Sequence, residues 1–311
     1  MNLNYSDLCT VFIVTYYSNE KIRYCLDSIE NKYKIIVFDN SGQTTNKILI
    51  ENAYSNVNYI VSKKNIGIPR AYNFGLNIIK TDYMFTTQPD VVLRRGCVDN
   101  LLNAALSYPL AGILSPTTFH GDKKEYILDG DHKALKIDKI NKKIIFDNKN
   151  MNKKIYNKIP EGDFCVEGVT GTAMLIKNTF LKKIGGWDKN IFSYWEDMDI
   201  CARMRMNNFQ VIKVRDAELD HSPFSSHNQE LSDSVNYFRN WHYTWSSYYI
   251  RIKYRNYIAT LIYVSKIFIS NLLKIFFYYF LSRKKYLISQ AKLYGLIISI
   301  LGKPSYFRVK K

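Results

Sequence analysis

The sequence predicts an α/β protein built on a mostly parallel β-sheet with helices on both faces. Continuous apolar runs such as 9–15 and 83–87 have the length and composition of strands buried on both sides. Helix-like segments separate these runs, which is the alternation that produces parallel strands. With 311 residues, 47% of them hydrophobic, the chain is long enough for one large domain and an appendage.

The predicted elements follow one another regularly along the first two thirds of the chain. Strands are predicted at 9–15, 34–38, 57–61, 83–87, 172–176 and 210–214. Helices are predicted at 20–29, 69–79, 178–184 and 196–206, from apolar spacing together with Pro69 at one helix start and Gly185 at one helix end. Residues 120–160 are rich in Lys, Asp and Asn and are predicted to form an irregular excursion or a hairpin.

Charge divides the chain into two parts. All 27 acidic residues lie at or before Asp233, whereas 14 of the 44 basic residues follow it. Residues 1–233 therefore hold 30 basic and 27 acidic residues, and residues 234–311 carry +14 of the total charge of +17. We predict an α/β domain over 1–233 and a basic, tyrosine-rich helical extension over 234–311.

The extension favours an anionic membrane surface as a partner. Residues 257–281 are almost wholly apolar and long enough to span a bilayer, but Lys266 and Lys274 interrupt them and both flanks are basic. A helix in the plane of an anionic leaflet accommodates both lysines on one polar stripe, and a spanning helix and a basic soluble subdomain are the alternatives. Nucleic acid is not predicted as a partner, because apolar residues separate the basic ones.

Cysteine usage and the N-terminus predict the compartment. The five cysteines are scattered, without the spacing of a zinc site or the density of a disulfide framework. The N-terminus carries no basic segment followed by an apolar run, so no secretory signal is predicted. Together with the extension, these features predict a cytoplasmic protein, peripheral at the inner face of the plasma membrane.

The turns after the strands disfavour two large classes of nucleotide-binding protein. The turn after the first strand contains no glycine, and no P-loop sequence occurs. Neither an NAD-dependent enzyme nor a P-loop nucleoside triphosphatase is therefore predicted. Asn65, Gly67 and Arg70 instead lie around the start of the helix after the third strand. A helix N-terminus beside an arginine suits a diphosphate, and a capped helix with a surface arginine is the alternative.

Two aspartates follow strands of the predicted sheet. Asp90 comes shortly after strand 83–87 and can share a divalent cation with phosphate oxygens, with a turn or helix-cap aspartate as the alternative. Asp39 follows the second strand and can accept hydrogen bonds from a base or ribose, or belong to an ordinary turn. Ligands bind at the carboxyl ends of parallel strands, so both are candidate site residues.

Glu196 and Asp197 open the last predicted helix of the domain. Asp197 shares a helix face with the apolar residues three, four and seven positions later. Burial raises the pKa of such a carboxyl while the helix N-terminus holds its anion, a combination that suits a general base. A carboxylate favoured only by the helix dipole is the alternative, and Asp199 and Arg203 are predicted to form an exposed ion pair.

Taken together, the motifs resemble family 2 glycosyltransferases, which are inverting enzymes of the GT-A fold. The shared segments, in the family's order, are 11–16 (VFIVTY), 37–41 (VFDNS), 65–75 (NIGIPRAYNFG), 88–90 (QPD), 168–174 (GVTGTAM), 185–188 (GGWD) and 195–197 (WED). The resemblance covers about residues 9–227. It implies transfer of a sugar from a nucleotide-diphosphate donor to an acceptor hydroxyl.

The resemblance also implies roles for individual residues. Thr15 and Tyr16 would line the nucleotide pocket, Asp39 would contact the base and Arg70 would lie near the diphosphate. Asp90 matches the last aspartate of the family's Asp-x-Asp metal motif, which binds Mg2+ or Mn2+, and Asp197 matches the catalytic base. The remaining expected site residues are Asn65, Gly67 and Trp195 for substrate binding and Glu196 beside the base.

The sequence departs from the family pattern at the metal motif. Gln88 stands where many members have an acid, which makes metal dependence an open question and resembles the Asn-Pro-Asp form of rhamnosyltransferase-like members. Either His221 or His227 could match the histidine that follows the catalytic helix in the family. His221 is preferred as a metal ligand because it directly follows a strand and an acidic stretch.

The extension further resembles bacterial rhamnosyltransferase-type members, through Arg239-Asn-Trp-His-Tyr243 and the segment 295–308. These members build surface polysaccharide on glycan or polyprenyl-diphosphate-linked acceptors.

Two other functions are alternatives to glycosyl transfer. A sugar nucleotidyltransferase is disfavoured because no glycine-rich basic loop follows the first strand, and a non-catalytic nucleotide-sugar-binding membrane scaffold stays open.

Overall fold

The computed structural model describes residues 4–18, 21–120, 125–127, 136–138, 143–145, 162–221, 232–254, 257–305 and 307. The strands are β1 Cys9–Thr15, β2 Lys34–Asp39, β3 Val57–Val61, β4 Tyr83–Thr87, β5 Val91–Leu93, β6 Ala111–His120, β7 Glu125–Ile127, β8 Lys136–Asp138, β9 Lys143–Ile145, β10 Phe164–Cys165, β11 Ala173–Lys177 and β12 Gln210–His221. The helices are α1 Tyr5–Leu8, α2 Lys21–Asp27, α3 Thr45–Ala53, α4 Ile68–Ile78, α5 Cys97–Ser107, α6 Asn178–Lys183, α7 Glu196–Met206, α8 Ser232–Tyr254, α9 Tyr257–Leu281 and α10 Arg283–Ile300.

One large sheet organises the first domain. Its strands lie in the order β10-β12-β6-β11-β4-β1-β2-β3, with β5 beside β12 and β7 beside β6. The half made of β4, β1, β2 and β3 is fully parallel, as the apolar runs predict. The other half is mixed: β11 is antiparallel to both of its neighbours, and β5 and β10 are antiparallel to β12. The predicted parallel sheet is therefore confirmed for the first four strands, and the antiparallel β11 was not predicted.

Each face of the sheet carries its own hydrophobic core. In β1, Val11 and Ile13 face the core that includes α2 and α5, whereas Phe12 faces the core that includes α4 and α7. A strand buried on both faces has no polar side to show, which explains the continuous apolar run from Cys9 to Thr15. Every predicted helix over 20–206 exists within a few residues of its expected ends, and β1, β3, β4 and α7 have the expected bounds.

The first domain also contains elements that the sequence pattern did not predict. They include α3, α5, β5 and β6, together with the long continuation of β12 to His221. Strand β6 lies in the middle of the sheet although it contains Pro116, which cannot donate a ladder hydrogen bond. The register of β12 shifts beside Pro116, between Val214 and Glu218, and this bulge accommodates the proline. Most of the predicted 120–160 excursion lies outside the described residues.

The extension consists of three long helices, of which α8 and α10 pack closely. A Cβ atom at Gly295 on α10 would lie 2.4 Å from the carbonyl oxygen of Trp241 on α8, so only glycine permits this approach. Helix α9 is different, because most of its apolar side chains are exposed. It is long and apolar enough to cross a membrane by length and composition, with 11% of its most apolar window buried. The domain boundary at residue 233 stays a prediction.

Candidate functional site

Asp197 lies at the start of α7, where its two carboxylate oxygens accept backbone amides. Its Oδ2 accepts a hydrogen bond from the Gly171 amide at 2.9 Å, and its Oδ1 accepts one from the Met198 amide at 2.8 Å. A Cβ atom at Gly171 would lie 3.6 Å from the Cβ of Asp197, so the glycine loop runs directly against the aspartate. The predicted inward orientation of Asp197 is confirmed by these contacts.

Glu196 and Asp197 form an acid pair, in which the pKa of Glu196 is raised. Burial first, and then the charge of Asp197, raises the pKa of Glu196 to about 8. Its Oε2 atom is inaccessible to solvent and makes no hydrogen bond within the described residues. The same environment raises the pKa of Tyr72, which burial and the charges of Glu196 and Asp197 all act on. Burial and the neighbouring carboxylate thus both oppose ionisation of Glu196.

Gln88 and Asp197 both hydrogen-bond to the backbone of Gly171. The Gln88 side-chain amide donates to the Gly171 carbonyl at 3.2 Å, and the Gly171 amide donates to Asp197. A carboxylate at position 88 could not donate this hydrogen bond and would repel the carbonyl oxygen. The side-chain amide of Gln88, which replaces an acid of the family's motif, thus makes a hydrogen bond that an acid could not make. Through Gly171, this hydrogen bond joins the end of β4 to the start of α7.

Asp90 and His221 meet where β5 pairs with β12. The antiparallel register places Val91 opposite His221, and Asp90 Oδ1 lies 3.8 Å from His221 Nε2. Next to them, Arg94 forms a two-pronged ion pair with Asp220, at 2.9 Å for each prong. Both partners are only partly exposed, and their ion pair holds the end of β12 against Arg94, which directly follows β5. His227, the alternative ligand, lies outside the described residues.

The predicted nucleotide-binding residues lie at the ends of β1 and β2. Thr15 is paired with Asp39 in the parallel register, and both are buried. Asp39 accepts hydrogen bonds from the Tyr59 hydroxyl and the Ser41 amide, each at 2.7 Å. Carboxylate oxygens can accept further donors, so a contact between Asp39 and a base stays a prediction. Tyr16 is half-buried at the same edge of the sheet.

The loop before α4 is tied to the loop before α7. Asn65 accepts the Gly67 amide at 3.0 Å, and the next amide, of Ile68, donates to the Phe192 carbonyl at 2.9 Å. Gly67 has φ +85°, and a Cβ there would lie 2.6 Å from the Phe192 carbonyl oxygen, so the position requires glycine. Arg70 is exposed and donates to a carbonyl of the same loop, that of Lys189, at 3.1 Å.

The predicted exposed ion pair between Asp199 and Arg203 is wrong in one respect. The pair exists at 2.7 Å, but the Asp199 side chain is fully buried. The buried carboxylate also accepts Lys253 at 2.6 Å and the Tyr254 hydroxyl at 2.5 Å, both from α8. Helical spacing predicts the pair but carries no information about α8, which covers this face from more than fifty residues further along the chain.

The structure places the candidate residues at one edge of the sheet, in separate sets of contacts: Asp197 and Gln88 contact Gly171, and Asp90 contacts His221. Gly171 is the connecting residue that residue type and spacing did not single out. It lies within the shared segment 168–174, and two glycines in that short stretch were the available indication. The contribution of α8 was also not predicted, although the segment 239–243 had been noted for its resemblance.

Comparison with known proteins defines the class. The sequence profile of glycosyl transferase family 2 matches residues 10–169, just over half of the chain, and the chain belongs to this family. Two solved structures share its fold, which is therefore GT-A-like. The mannosyltransferase PcManGT from Pyrobaculum calidifontis, in complex with GDP-Man and Mn2+, aligns with a TM-score of 0.54 and 13% identity over 95% of this chain and 74% of that one. GalNAc-T7, with UDP, GalNAc and Mn2+, aligns with a TM-score of 0.51 and 11% identity over 80% and 52%.

Curated relatives narrow the comparison to one kind of transferase. N-acetylglucosaminyl-diphospho-decaprenol L-rhamnosyltransferase of Mycobacterium tuberculosis is 24% identical over 242 residues, which is 70% of this chain and 76% of that protein. Rhamnosyltransferase WbbL of Escherichia coli K12 is 24% identical over 246 residues, or 75% and 88%. The protein is a glycosyltransferase.

Proposed function

We propose that this glycosyltransferase moves rhamnose, with inversion, from a nucleoside-diphosphate donor to a saccharide carried on a polyprenyl diphosphate. The reaction would serve the assembly of a bacterial surface polysaccharide. The rhamnosyltransferase relatives support the sugar, and the name of the mycobacterial relative supports a lipid-linked acceptor. The single observation that carries the chemistry is the contact of Asp197 and Gln88 with the same residue, Gly171.

In the proposed mechanism Asp197 is the general base. It accepts the proton of the acceptor hydroxyl as the oxygen attacks the anomeric carbon, and the bond from that carbon to the diphosphate oxygen breaks on the opposite side. Burial and the charge of Asp197 raise the pKa of Glu196 to about 8, which favours the protonated form of Glu196 beside the proposed base. The N-terminal end of α7 favours that anion.

Asp90 and His221 suit a divalent cation. A carboxylate and an imidazole are accepted ligands of Mn2+, and an Oδ1–Nε2 distance of 3.8 Å lets one ion contact both. No group of three or more His, Cys, Asp or Glu side chains suited to a metal occurs within the part of the chain that the structure describes. Diphosphate oxygens and water would complete the shell. When bound, Mg2+ or Mn2+ would neutralise charge that develops on the leaving diphosphate.

We further propose that α9 lies in the plane of the inner leaflet of the plasma membrane, which makes the enzyme cytoplasmic and peripheral. Its exposed side chains include Phe276 at 79% and Phe280 at 81%. At about 100° per residue, Lys266 and Lys274 lie roughly 80° and 160° round the helix from Phe276, so Lys266 borders the apolar face and Lys274 lies away from it. The side chains of Thr260 and Asn271 are buried on the side that faces the protein. The net charge of +14 beyond Asp233 supports attraction to anionic lipids.

Purified protein tests the function directly. It would be incubated with thymidine, uridine and guanosine diphosphate forms of rhamnose and other sugars, with Mn2+ and an N-acetylglucosaminyl-diphospho-lipid. We expect acceptor-dependent release of nucleoside diphosphate, largest with a rhamnose donor. Formation of pyrophosphate from a nucleoside triphosphate and a sugar phosphate would instead identify a nucleotidyltransferase. Thermal stabilisation by a donor without transfer or hydrolysis would identify a binding scaffold.

A vesicle experiment tests the membrane face. The wild-type protein should sediment with vesicles that contain phosphatidylglycerol and much less with neutral phosphatidylcholine vesicles. Replacing both Phe276 and Phe280 with aspartate should abolish sedimentation without a change in donor hydrolysis. Equal sedimentation of the variant and the wild type would contradict the proposed orientation.

A further inference from the structure

Helix α8 of the extension covers the turn that precedes the acid pair. The Ser246 hydroxyl donates to the Ser193 carbonyl at 2.9 Å, and this hydrogen bond is buried. Three residues earlier, the ring of Tyr243 lies 5.7 Å from the ring of Trp195, centroid to centroid. Because Trp195 directly precedes Glu196, these contacts bring α8 to the start of the helix that carries the proposed base.

A second pair of contacts extends the same face of α8. Arg239 hydrogen-bonds to the Tyr194 side chain. The ring of Tyr194 also lies 6.0 Å from that of Tyr243 in an edge-on arrangement. Since Arg239 and Tyr243 are four residues apart on one helix, their side chains lie side by side. With Ser246 on the next turn of the helix, these two side chains form the α8 face, which contacts Ser193, Tyr194 and Trp195.

The turn that the α8 face contacts has an unusual backbone. Tyr194 and Trp195 are consecutive residues with φ of 67° and 70°, the left-handed conformation that favours glycine. Non-glycine residues persist in this conformation only where their surroundings fix them, and they cluster at functional sites. The buried hydrogen bond from Ser246 to the Ser193 carbonyl and the contact of Arg239 with Tyr194 hold this backbone, which presents Glu196 and Asp197.

Tyr243 combines exposure with contact to the turn before the acid pair. It is 40% exposed although α8 is otherwise packed on the domain at this level. Its ring contacts that of Trp195, two residues before the proposed base. An accessible aromatic ring at this position is available to bind a molecule that the base must deprotonate.

We propose that Tyr243 is an acceptor-binding residue, whose ring packs against the saccharide of a lipid-linked acceptor and holds its hydroxyl towards Asp197. The inference rests on the proposed function and adds the site of its second substrate. The expected donor contacts all belong to residues before 198 and to His221, whereas α8 is followed within a few residues by the exposed apolar helix α9. An acceptor anchored by a lipid would approach from that side. The apolar face of a sugar ring can pack flat against an aromatic ring, as other apolar groups do.

Steady-state kinetics of Tyr243→Ala test the proposal. With N-acetylglucosaminyl-diphospho-lipid as the varied substrate and saturating donor, KM for the acceptor should rise about tenfold, while kcat changes little, because stacking binds ground and transition states alike. Tyr243→Phe keeps the ring and should stay within about twofold of wild type. Tyr24→Ala removes a tyrosine that is 68% exposed on α2, and it serves as the control with no expected change. Donor hydrolysis without acceptor should be unchanged in all three variants.

The outcomes separate the acceptor site from the function on which it rests. An acceptor KM for Tyr243→Ala equal to that of wild type would overturn the proposal. So would a parallel loss of donor hydrolysis, since it would give Tyr243 a role in donor binding or folding. If the wild-type enzyme transfers no sugar from any donor, the proposed function itself fails, and the acceptor site fails with it.

Discussion

Replacing Asp199 with asparagine should destabilise the protein far more than the loss of an ordinary surface ion pair. Asp199 is fully buried and faces two cations, Arg203 at 2.7 Å and Lys253 at 2.6 Å, as well as the Tyr254 hydroxyl. Removing one charge from a buried ion pair costs about 3–5 kcal/mol, because the remaining charge is left without its counterion. Lys253 keeps a second partner, Asp188 at 2.6 Å, so we expect the lower end, about 3 kcal/mol.

The assay is thermal unfolding of purified protein at low salt. A loss of about 3 kcal/mol corresponds to a fall in Tm of roughly 6–12 °C in a domain of 150–250 residues. Asp216→Asn is the matched control, since Asp216 is 83% exposed and lies 3.4 Å from Arg215, and we expect at most about 0.5 kcal/mol there. Tyr254→Phe removes one neutral donor and should cost about 1 kcal/mol. Equal Tm values for Asp199→Asn and Asp216→Asn would refute the view that α8 is held to α7 through a buried charge.

Three further predictions concern the acid pair, one glycine and the cation. Because the pKa of Glu196 is raised to about 8, its contribution to stability is complete below its unfolded pKa of 4.5 and is lost as pH rises through about 8. Wild-type Tm should therefore fall between about pH 5 and 8 more than that of Glu196→Gln, and parallel curves would count against the raised pKa. Gly67→Ala should unfold at a lower temperature than Gly185→Ala. Both glycines have φ near +84°, but only at position 67 would a Cβ lie 2.6 Å from the Phe192 carbonyl oxygen. Similar decreases in Tm for the two variants would mean that the clash is relieved. Chelation by EDTA should abolish transfer, Mn2+ or Mg2+ should restore it, and Asp90→Asn should raise the metal concentration for half activity by about tenfold or more; transfer that is insensitive to EDTA would remove the metal role of Asp90.

Much of the parallel half of the fold could be predicted from sequence because burial on both faces leaves a strong pattern. The strands β1 and β4 are mainly apolar and buried, and the bounds of β1, β3 and β4 match the prediction. Strand β6 escaped prediction because Pro116 interrupts it, and a proline in a central strand is normally evidence against one. The register shift in β12 lies beside Pro116, and such a shift depends on two distant segments of the chain.

The candidate site shows the same division. Residues at strand ends and at the start of α7 could be singled out because their chemistry is visible in the sequence, and the structure brings them to one edge of the sheet. What could not be predicted is which side chains cover them: the burial of Asp199 and the approach of Tyr243 depend on α8, and helical periodicity contains no information about distant partners. The reason for Gln88 likewise appeared only with its contact to Gly171.

The rate of sugar transfer by Asp197→Asn tests the central claim most directly. The substitution keeps the size of the side chain and a hydrogen-bond acceptor for the Gly171 amide, but it removes the base. We predict a fall in acceptor-dependent transfer of about a hundredfold to ten-thousandfold, with donor affinity, measured by calorimetry, close to that of the wild type. Transfer within a few fold of the wild-type rate, at the same donor affinity, would contradict the assignment of Asp197 as the general base.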